Sequence, residues 1–255
     1  LRHDKPYSPV ARLIDSVKKN RISIKEGQII KQRRWWTKYL IYLGNLFLKV
    51  SNSHIFMFTS DVAWQYWELH CYQLLYEIEG QPIGNRAICI PRFKGHSLRE
   101  HIAANTLTPI MIIAAAQEFQ RVHGLFSPLS GRRWTHGDSH TGNVLYNDIT
   151  GRAYLIDFET QHEPGRAETA CQADDLLVFI LELMGTSSDW INLSDLFLRT
   201  YADREVLHEL EHRLCLQSGL ERLLWKIRTN YLPMPSLQLR IQQLHRILAC
   251  ISQQR

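Results

Sequence analysis

Long apolar runs are the first thing this sequence lacks. Nowhere in its 255 residues do about eighteen apolar side chains follow one another, the length a membrane-crossing helix needs. No apolar stretch near the N-terminus suits a signal peptide, so no secretory leader is expected. Cysteine is sparse: Cys71, Cys89, Cys171, Cys215 and Cys250 are odd in number, scattered, and form no C-x-x-C pair. That pattern argues against a disulfide framework and a zinc module, and for a reducing compartment. Repeats and low-complexity segments are absent too, which leaves no basis for a solenoid. The expected setting is soluble and cytoplasmic. What is present is ordinary for a folded chain, 45% hydrophobic and 22% charged, with ample material for one large or two modest domains. A net charge of +5 suits an anionic ligand such as a nucleotide, or a membrane surface, without choosing between them. No nucleic-acid partner is expected.

The most informative stretch is 135–145, followed by 154–159. It reads as a tight polar loop, a short strand, a turn over 147–151, and a second strand ending in an acid. Asp138 and Asn143 are five residues apart, and Asp157 lies fourteen beyond Asn143. A hairpin would bring all three polar groups to one end of the same strand pair. Two carboxylates and an amide there can take a proton from a hydroxyl and hold a hard divalent cation. Phosphoryl transfer from a nucleotide uses that equipment.

The form His136-Gly137-Asp138-x-His140-x-Gly142-Asn143, with Asp157-Phe158-Glu159 after it, resembles the catalytic and metal loops of the protein-kinase-like superfamily. It looks most like the aminoglycoside and choline phosphotransferase branch and the small bacterial lipopolysaccharide-type kinases akin to it. Protein kinases carry His-Arg-Asp and Asp-Phe-Gly at these two places. The resemblance covers roughly residues 40–185 and is strongest over 136–159. It implies that Asp138 orients an acceptor hydroxyl and takes its proton. Asn143 and Asp157 would bind Mg²⁺, or Mn²⁺ in its place, with Asp157 reaching the β- and γ-phosphates of ATP. His136 would brace the loop. Asp175, opening an apolar helix, resembles the aspartate that bonds the catalytic loop from below, and Asp174 is its rival.

Upstream, three β-like runs are expected over 22–32, 39–43 and 46–50, the last two around a Gly44-Asn45 hairpin turn. A helix then starts at Ser60 or Asp61, with Trp64, Trp67, Cys71, Leu74, Leu75 and Ile78 on one face. Lys49, nineteen residues before helical Glu68, resembles the strand lysine and helix glutamate of kinases, a pair that presents an ammonium to the α- and β-phosphates. Lys31 is the rival lysine. The segment from Ala87 through Pro91, Phe93 and Gly95 to Leu98 looks like the hinge of small-molecule kinases. Pro91 and Phe93 are therefore expected beside the adenine, with the lobe boundary near Phe93.

The sequence also departs from the family pattern. No glycine-rich phosphate loop is found; 32–38, rich in Arg and Trp, stands where it is expected. Cations there could replace backbone amides, and a second reading makes Arg33, Arg34, Trp35 and Trp36 a peripheral contact with the inner face of a membrane. The segment 159–173 is too short for an activation loop with its anchor, and Gly137 replaces the arginine that would read a phosphorylated loop. A short helix around 11–19 and three or more amphipathic helices over 190–255, broken near 216–219 and 232–235, complete the chain.

The expected fold is α+β, two-lobed and protein-kinase-like. Residues 1–93 form a small antiparallel-sheet lobe and 94–255 a mainly helical one. The expected activity is ATP- and Mg²⁺-dependent transfer of a γ-phosphate to a hydroxyl of a small molecule, sugar or glycolipid. An atypical protein Ser/Thr kinase and a nucleotide-binding pseudokinase are the alternatives within the fold. A metal-dependent hydrolase built on His136, Asp138, His140 and Asp157 is the alternative outside it.

Overall fold

The structure, a computed structural model, describes residues 20–215 and 218–253. The helix expected over 11–19 and part of the break near 216–219 lie outside them. The chain opens as a hairpin, β1 (Asn20–Lys25) and β2 (Gln28–Arg33), where the sequence predicts one strand over 22–32. Glu26 and Gly27 take φ of 47° and 78° and close a two-residue turn whose twist suits paired strands. Glutamate seldom adopts that backbone, so the turn carries a weak signal.

The largest departure comes next. The two strands expected over 39–43 and 46–50 are one helix, α1 (Thr37–Val50). A Cβ on Gly44 would come within 2.5 Å of Met57 Cε, and Asn45 bonds both the N–H and the C=O of Met57 at 2.8 Å. Gly-Asn is here a docking point on a helix for the short strand β3 (Ile55–Met57), not a turn. The arginine- and tryptophan-rich segment 32–38 therefore follows the second strand and does not join the first two.

Helix α2 (Asp61–Tyr76) is capped by the Ser60 hydroxyl, which accepts from Ala63 N–H at 3.3 Å. It buries Trp64, Trp67, Cys71 and Leu75, the apolar face expected, and Glu68 with them. Strands β4 (Gln81–Ile83) and β5 (Ala87–Pro91) complete an antiparallel sheet of order β1-β2-β5-β4. Past β5 the backbone crosses Tyr146 so closely that a Cβ on Gly95, at φ 128°, would meet its carbonyl oxygen at 2.1 Å. Only glycine fits there.

The strand β6 (His96–Ser97) leads into α3 (Leu98–Ala103), opened by a capping box between Ser97 and Glu100. Helix α4 (Pro109–His123) buries most of its first half, although Ile110 is 60% exposed. A small hairpin, β7 (Phe126–Ser127) and β8 (Arg132–Arg133), precedes the polar loop. The expected hairpin around 147–151 is β9 (Val144–Asn147) and β10 (Arg152–Leu155), with β6 on the other edge of β9. Strand β11 (Thr160–His162) pairs with β3.

Helices α5 (Glu168–Thr186), α6 (Trp190–Tyr201), α7 (Arg204–Arg213), α8 (Gly219–Arg228) and α9 (Met234–Gln253) finish the helical part. α5 is buried along most of its length. Phe179 on α5 stacks on Phe197 of α6, with ring centroids 4.4 Å apart, and Phe119 of α4 meets both edge-on. The protein is thus a mixed α and β fold of small antiparallel sheets and a helical part. Among the described residues, no helix is long and apolar enough to cross a membrane.

Candidate active site

The β9–β10 hairpin brings the expected polar groups to one end. Val144 pairs with Leu155, and Ile156 N–H donates to Asn143 C=O at 3.0 Å, so Asn143 and Asp157 flank the same strand ends. Asn143 also donates its side-chain amide to the carbonyl of Asp138 at 2.9 Å. His136 accepts the Asp138 N–H on Nδ1 at 3.2 Å and lies 3.0 Å from Ile156 C=O through Nε2, which makes Nε2 the protonated nitrogen. Both nitrogens are engaged, so His136 offers no lone pair to a metal. Among the described residues, no three His, Cys, Asp or Glu side chains gather as a metal set.

Asp175 holds this loop from α5. Its Oδ2 accepts His136 N–H and its Oδ1 accepts Gly137 N–H, both at 2.7 Å, and its carbonyl accepts the Ser139 hydroxyl at 2.6 Å. His123 Nε2 lies 3.1 Å from the same carboxylate and His123 Nδ1 lies 2.9 Å from Tyr201 Oη. Burial pushes the Asp175 carboxyl up, but the hydrogen bond from His123 and the electrostatic influence of the nearby His162, His123 and His136 rings outweigh it and hold it at about 2. Of the two adjacent candidates, Asp175 is the one beneath the loop. Asp174 turns instead to Arg166, at 2.6 Å, and to Arg213.

A second carboxylate on α5 does similar work and was not singled out in the sequence. Glu182 Oε2 accepts Thr141 N–H at 2.5 Å, while Oε1 takes Arg99 Nε at 2.7 Å. Seven residues separate Asp175 from Glu182, two turns along one helix face, and that spacing was the available signal.

Glu68 does not pair with Lys49. Its partner is Lys31 on β2, whose Nζ donates to both carboxylate oxygens, at 2.8 and 3.0 Å. Lys49 is exposed in the last turn of α1, and its expected role falls with the strand that was to carry it. Lys31 also contacts Asp157 and lies 3.1 Å from Glu159. Three carboxylates thus share one buried ammonium. Burial works to lower the Lys31 pKa, but Asp157, Glu159 and Glu68 raise it well above the ordinary value. Burial, helped by Asp157 and Glu159 and opposed by Lys31, pushes Glu68 up to about 7.

Asp157 itself adopts φ 70°, a left-handed conformation uncommon for a residue with a Cβ. The next residue secures it: Phe158 is fully buried, with its ring 4.8 Å from Tyr72 and 5.5 Å from both Trp134 and His136.

Between the sheet and the hairpin lies a cavity of about 610 Å³. Ile22, Ile29 and Ile90 line it from the sheet, and Leu145 and Ile156 from the hairpin. Lys31, Asp138, Asp157 and Glu159 form its polar end. Phe93 is on its wall and packs on Tyr154 with centroids 4.9 Å apart. Pro91 is not; it ends β5 opposite Gln28, with only its neighbour Ile90 on the wall. Arg33, expected at a surface patch, is 3% exposed and donates to Phe58 C=O at 2.7 Å. Arg34 and Trp35 are the exposed members of that patch, with Trp36 half-buried.

Comparison with models of known protein families finds no match for this chain, and no curated protein matches it.

Proposed function

We propose that this chain is an ATP- and Mg²⁺-dependent phosphotransferase with a two-lobed, protein-kinase-like arrangement divided near Phe93. It transfers a γ-phosphate to a hydroxyl of a small molecule, sugar or glycolipid. One observation carries the reading: β2, α2 and the segment after β10, far apart in sequence, converge as Lys31, Glu68 and Asp157 on a cavity that also holds Asp138.

Each residue has a task the geometry supports. Glu68 holds Lys31 extended, and Lys31 presents its ammonium to the nucleotide phosphates. The isoleucines and Leu145 offer an apolar slot to the base, with Phe93 at its edge. Asp138, in a loop fixed by Asp175 and Glu182, orients the acceptor hydroxyl and receives its proton. Catalysis here is positioning and electrostatics, not covalent chemistry.

The residues present fit a hard divalent cation. The Asn143 amide nitrogen is spent on Asp138, which leaves its oxygen to offer, and Asp157 supplies a carboxylate beside Glu68 and Glu159, three acids that meet one lysine ammonium among the described residues. Asn143 and Asp157 would hold Mg²⁺ there, and the ion would supply charge neutralisation for the transferring phosphate. A pseudokinase is the second reading, favoured by the absence of a glycine-rich phosphate loop; the turn joining β1 and β2 holds one glycine.

Thermal unfolding with and without Mg·ATP, with Asp157→Ala alongside, is the test. A ligand bound only to the native state raises stability by mass action, ~2.7 kcal/mol at about a hundredfold excess over Kd. The wild type should show that rise and Asp157→Ala should lose it with its fold intact. A full shift in the mutant removes Asp157 from the site. Asp138→Asn should keep the shift and lose ~10²-fold in turnover, and unchanged turnover removes Asp138 from the mechanism.

A further inference from the structure

Beside the cleft, at the N-terminus of α1, lies a second hollow of about 490 Å³. Arg21, Gln32, Arg34, Arg86, Trp35 and Trp36 line it, with the buried Arg33 behind them. No acid is among its described lining residues, and none occurs in the sequence from Gly27 to Ser60. Strand register assembles it: Arg21 on β1 stands opposite Gln32 on β2, and Arg33 N–H donates to Arg86 C=O at 2.8 Å.

The cations there are unequally satisfied. Arg86 Nε reaches Asp61 at 3.0 Å, and Arg33 is spent on Phe58 C=O and the face of Trp64, 4.5 Å away. Arg21 and Arg34 meet no carboxylate among the described residues, and both are exposed. Helix α1 adds to the imbalance. Its N-cap is Trp36, which supplies no capping side chain, and its first turn carries no acid. Thr37 and Tyr39 N–H donate to the Arg34 and Trp36 carbonyls, at 3.1 and 3.2 Å, so it is chiefly the helix dipole that favours an anion at that point. Guanidinium forks match the paired oxygens of a phosphate or a carboxylate better than a halide or a neutral group, and two forks beside a helix N-terminus suit the higher charge of a phosphate monoester.

We propose that this bowl binds a phosphate monoester group, with Arg21 and Arg34 as its forks and the N-terminus of α1 behind them. Because Arg21 and Arg34 also line the cleft, a molecule anchored there extends towards Asp138. The bowl is larger than a bare phosphate, which leaves room beside Trp35 for the body that carries it; Arg34 lies over the Trp36 ring, 5.7 Å from its centroid. That this body is the acceptor rests on the phosphotransfer reading; the binding of the anion does not.

The test uses the full chain without nucleotide or Mg²⁺. Inorganic phosphate is titrated calorimetrically into the wild type, Arg21→Gln/Arg34→Gln and Lys31→Met. Phosphatidylcholine vesicles with and without phosphatidic acid are sedimented with the same proteins. Phosphate should bind the wild type and Lys31→Met alike, with a Kd on the order of 1 mM, and the double arginine variant about tenfold or more weakly. Sedimentation that needs both phosphatidic acid and the two arginines assigns the group to a lipid headgroup. Phosphate binding without sedimentation assigns it to a soluble ester. Identical isotherms for wild type and double variant, including no heat from either, overturn the proposal, as does a loss confined to Lys31→Met. The Mg·ATP shift of the same wild-type sample separates the two readings: a shift without phosphate binding sinks the bowl alone, and phosphate binding without a shift sinks phosphotransfer alone.

Discussion

On one side of the cavity, Asp138 sits in a loop whose backbone amides are bonded to buried carboxylates; on the other, Lys31 is held through side chains that end in charge. Asp175 and Glu68 show the difference within one residue class. Both carboxylates are fully buried, yet Asp175 is held at about 2 while Glu68 is pushed up to about 7. Asp175 faces three N–H groups that donate to it, counting the His123 ring, and each favours its charged form. Glu68 shares its single ammonium with two other acids. Burial alone therefore does not set the charge of a buried acid here; the partners do. One wall is thus held by backbone amides on buried carboxylates, the other by contacts between charged side chains.

Three experiments break or sharpen that contrast. The largest effect should come from Asp175→Ala, which strands two buried amides and His123. Loss of a buried, multiply bonded carboxylate costs roughly 3–5 kcal/mol. Urea unfolding measures it, and a loss below about 1 kcal/mol would mean that the loop is held by other contacts. Next is Lys31→Met, which removes the hub of the ionic wall. The variant should fold and lose the Mg·ATP shift, whereas Lys49→Met should keep it. The reverse outcome would restore Lys49 to the nucleotide.

The smallest effect concerns pH. His162, behind the loop and 2.9 Å from the Thr135 hydroxyl, is buried and its pKa is lowered to about 3, with Arg166 and Arg132 adding to burial against Asp175. The unfolded chain binds a proton near the ordinary histidine pKa of ~6.5, which the native ring refuses until pH falls to about 3. Stability is therefore lost as pH falls through that window, by ~1.2 kcal/mol between about pH 6 and 5 from this ring. His162→Gln should flatten that part of the stability–pH curve, and an unchanged slope would mean that the ring is protonated in the native protein.

How far the sequence spoke for each wall follows from what holds it. The polar loop and its hairpin are local: Asp138, Asn143 and Asp157 are set by short spacings and by a turn whose Asn147 side chain accepts from Ile149 N–H at 3.0 Å. Such features are readable residue by residue. The sheet side was misread because its geometry is tertiary. Nothing near Gly44-Asn45 says that Asn45 will serve β3 in place of a neighbouring strand, and without that fact 39–50 alternates plausibly as a hairpin. Once α1 is a helix, Lys49 leaves the site and Lys31 enters it. Glu159 and the left-handed backbone of Asp157 are equally silent, since neither shows until Lys31 and Phe158 are in place.

The two carboxylates of α5 also meter the loop above them. Residues seven apart on a helix stand about 10 Å apart along its axis and nearly in phase. Asp175 grips the loop at His136 and Gly137, and Glu182 grips it at Thr141. The backbone between those grips is thus cut to the length of two helical turns. A residue inserted there could be absorbed only by releasing one carboxylate. One inserted into α5 between the two acids would swing the second grip by about 100° away from its amide. Tolerance to insertion should lie outside these two spans, for instance at the exposed tip of the β9–β10 turn, where Ile149 is 87% exposed. A rule about permissible chain length thus follows from two hydrogen-bonded acids.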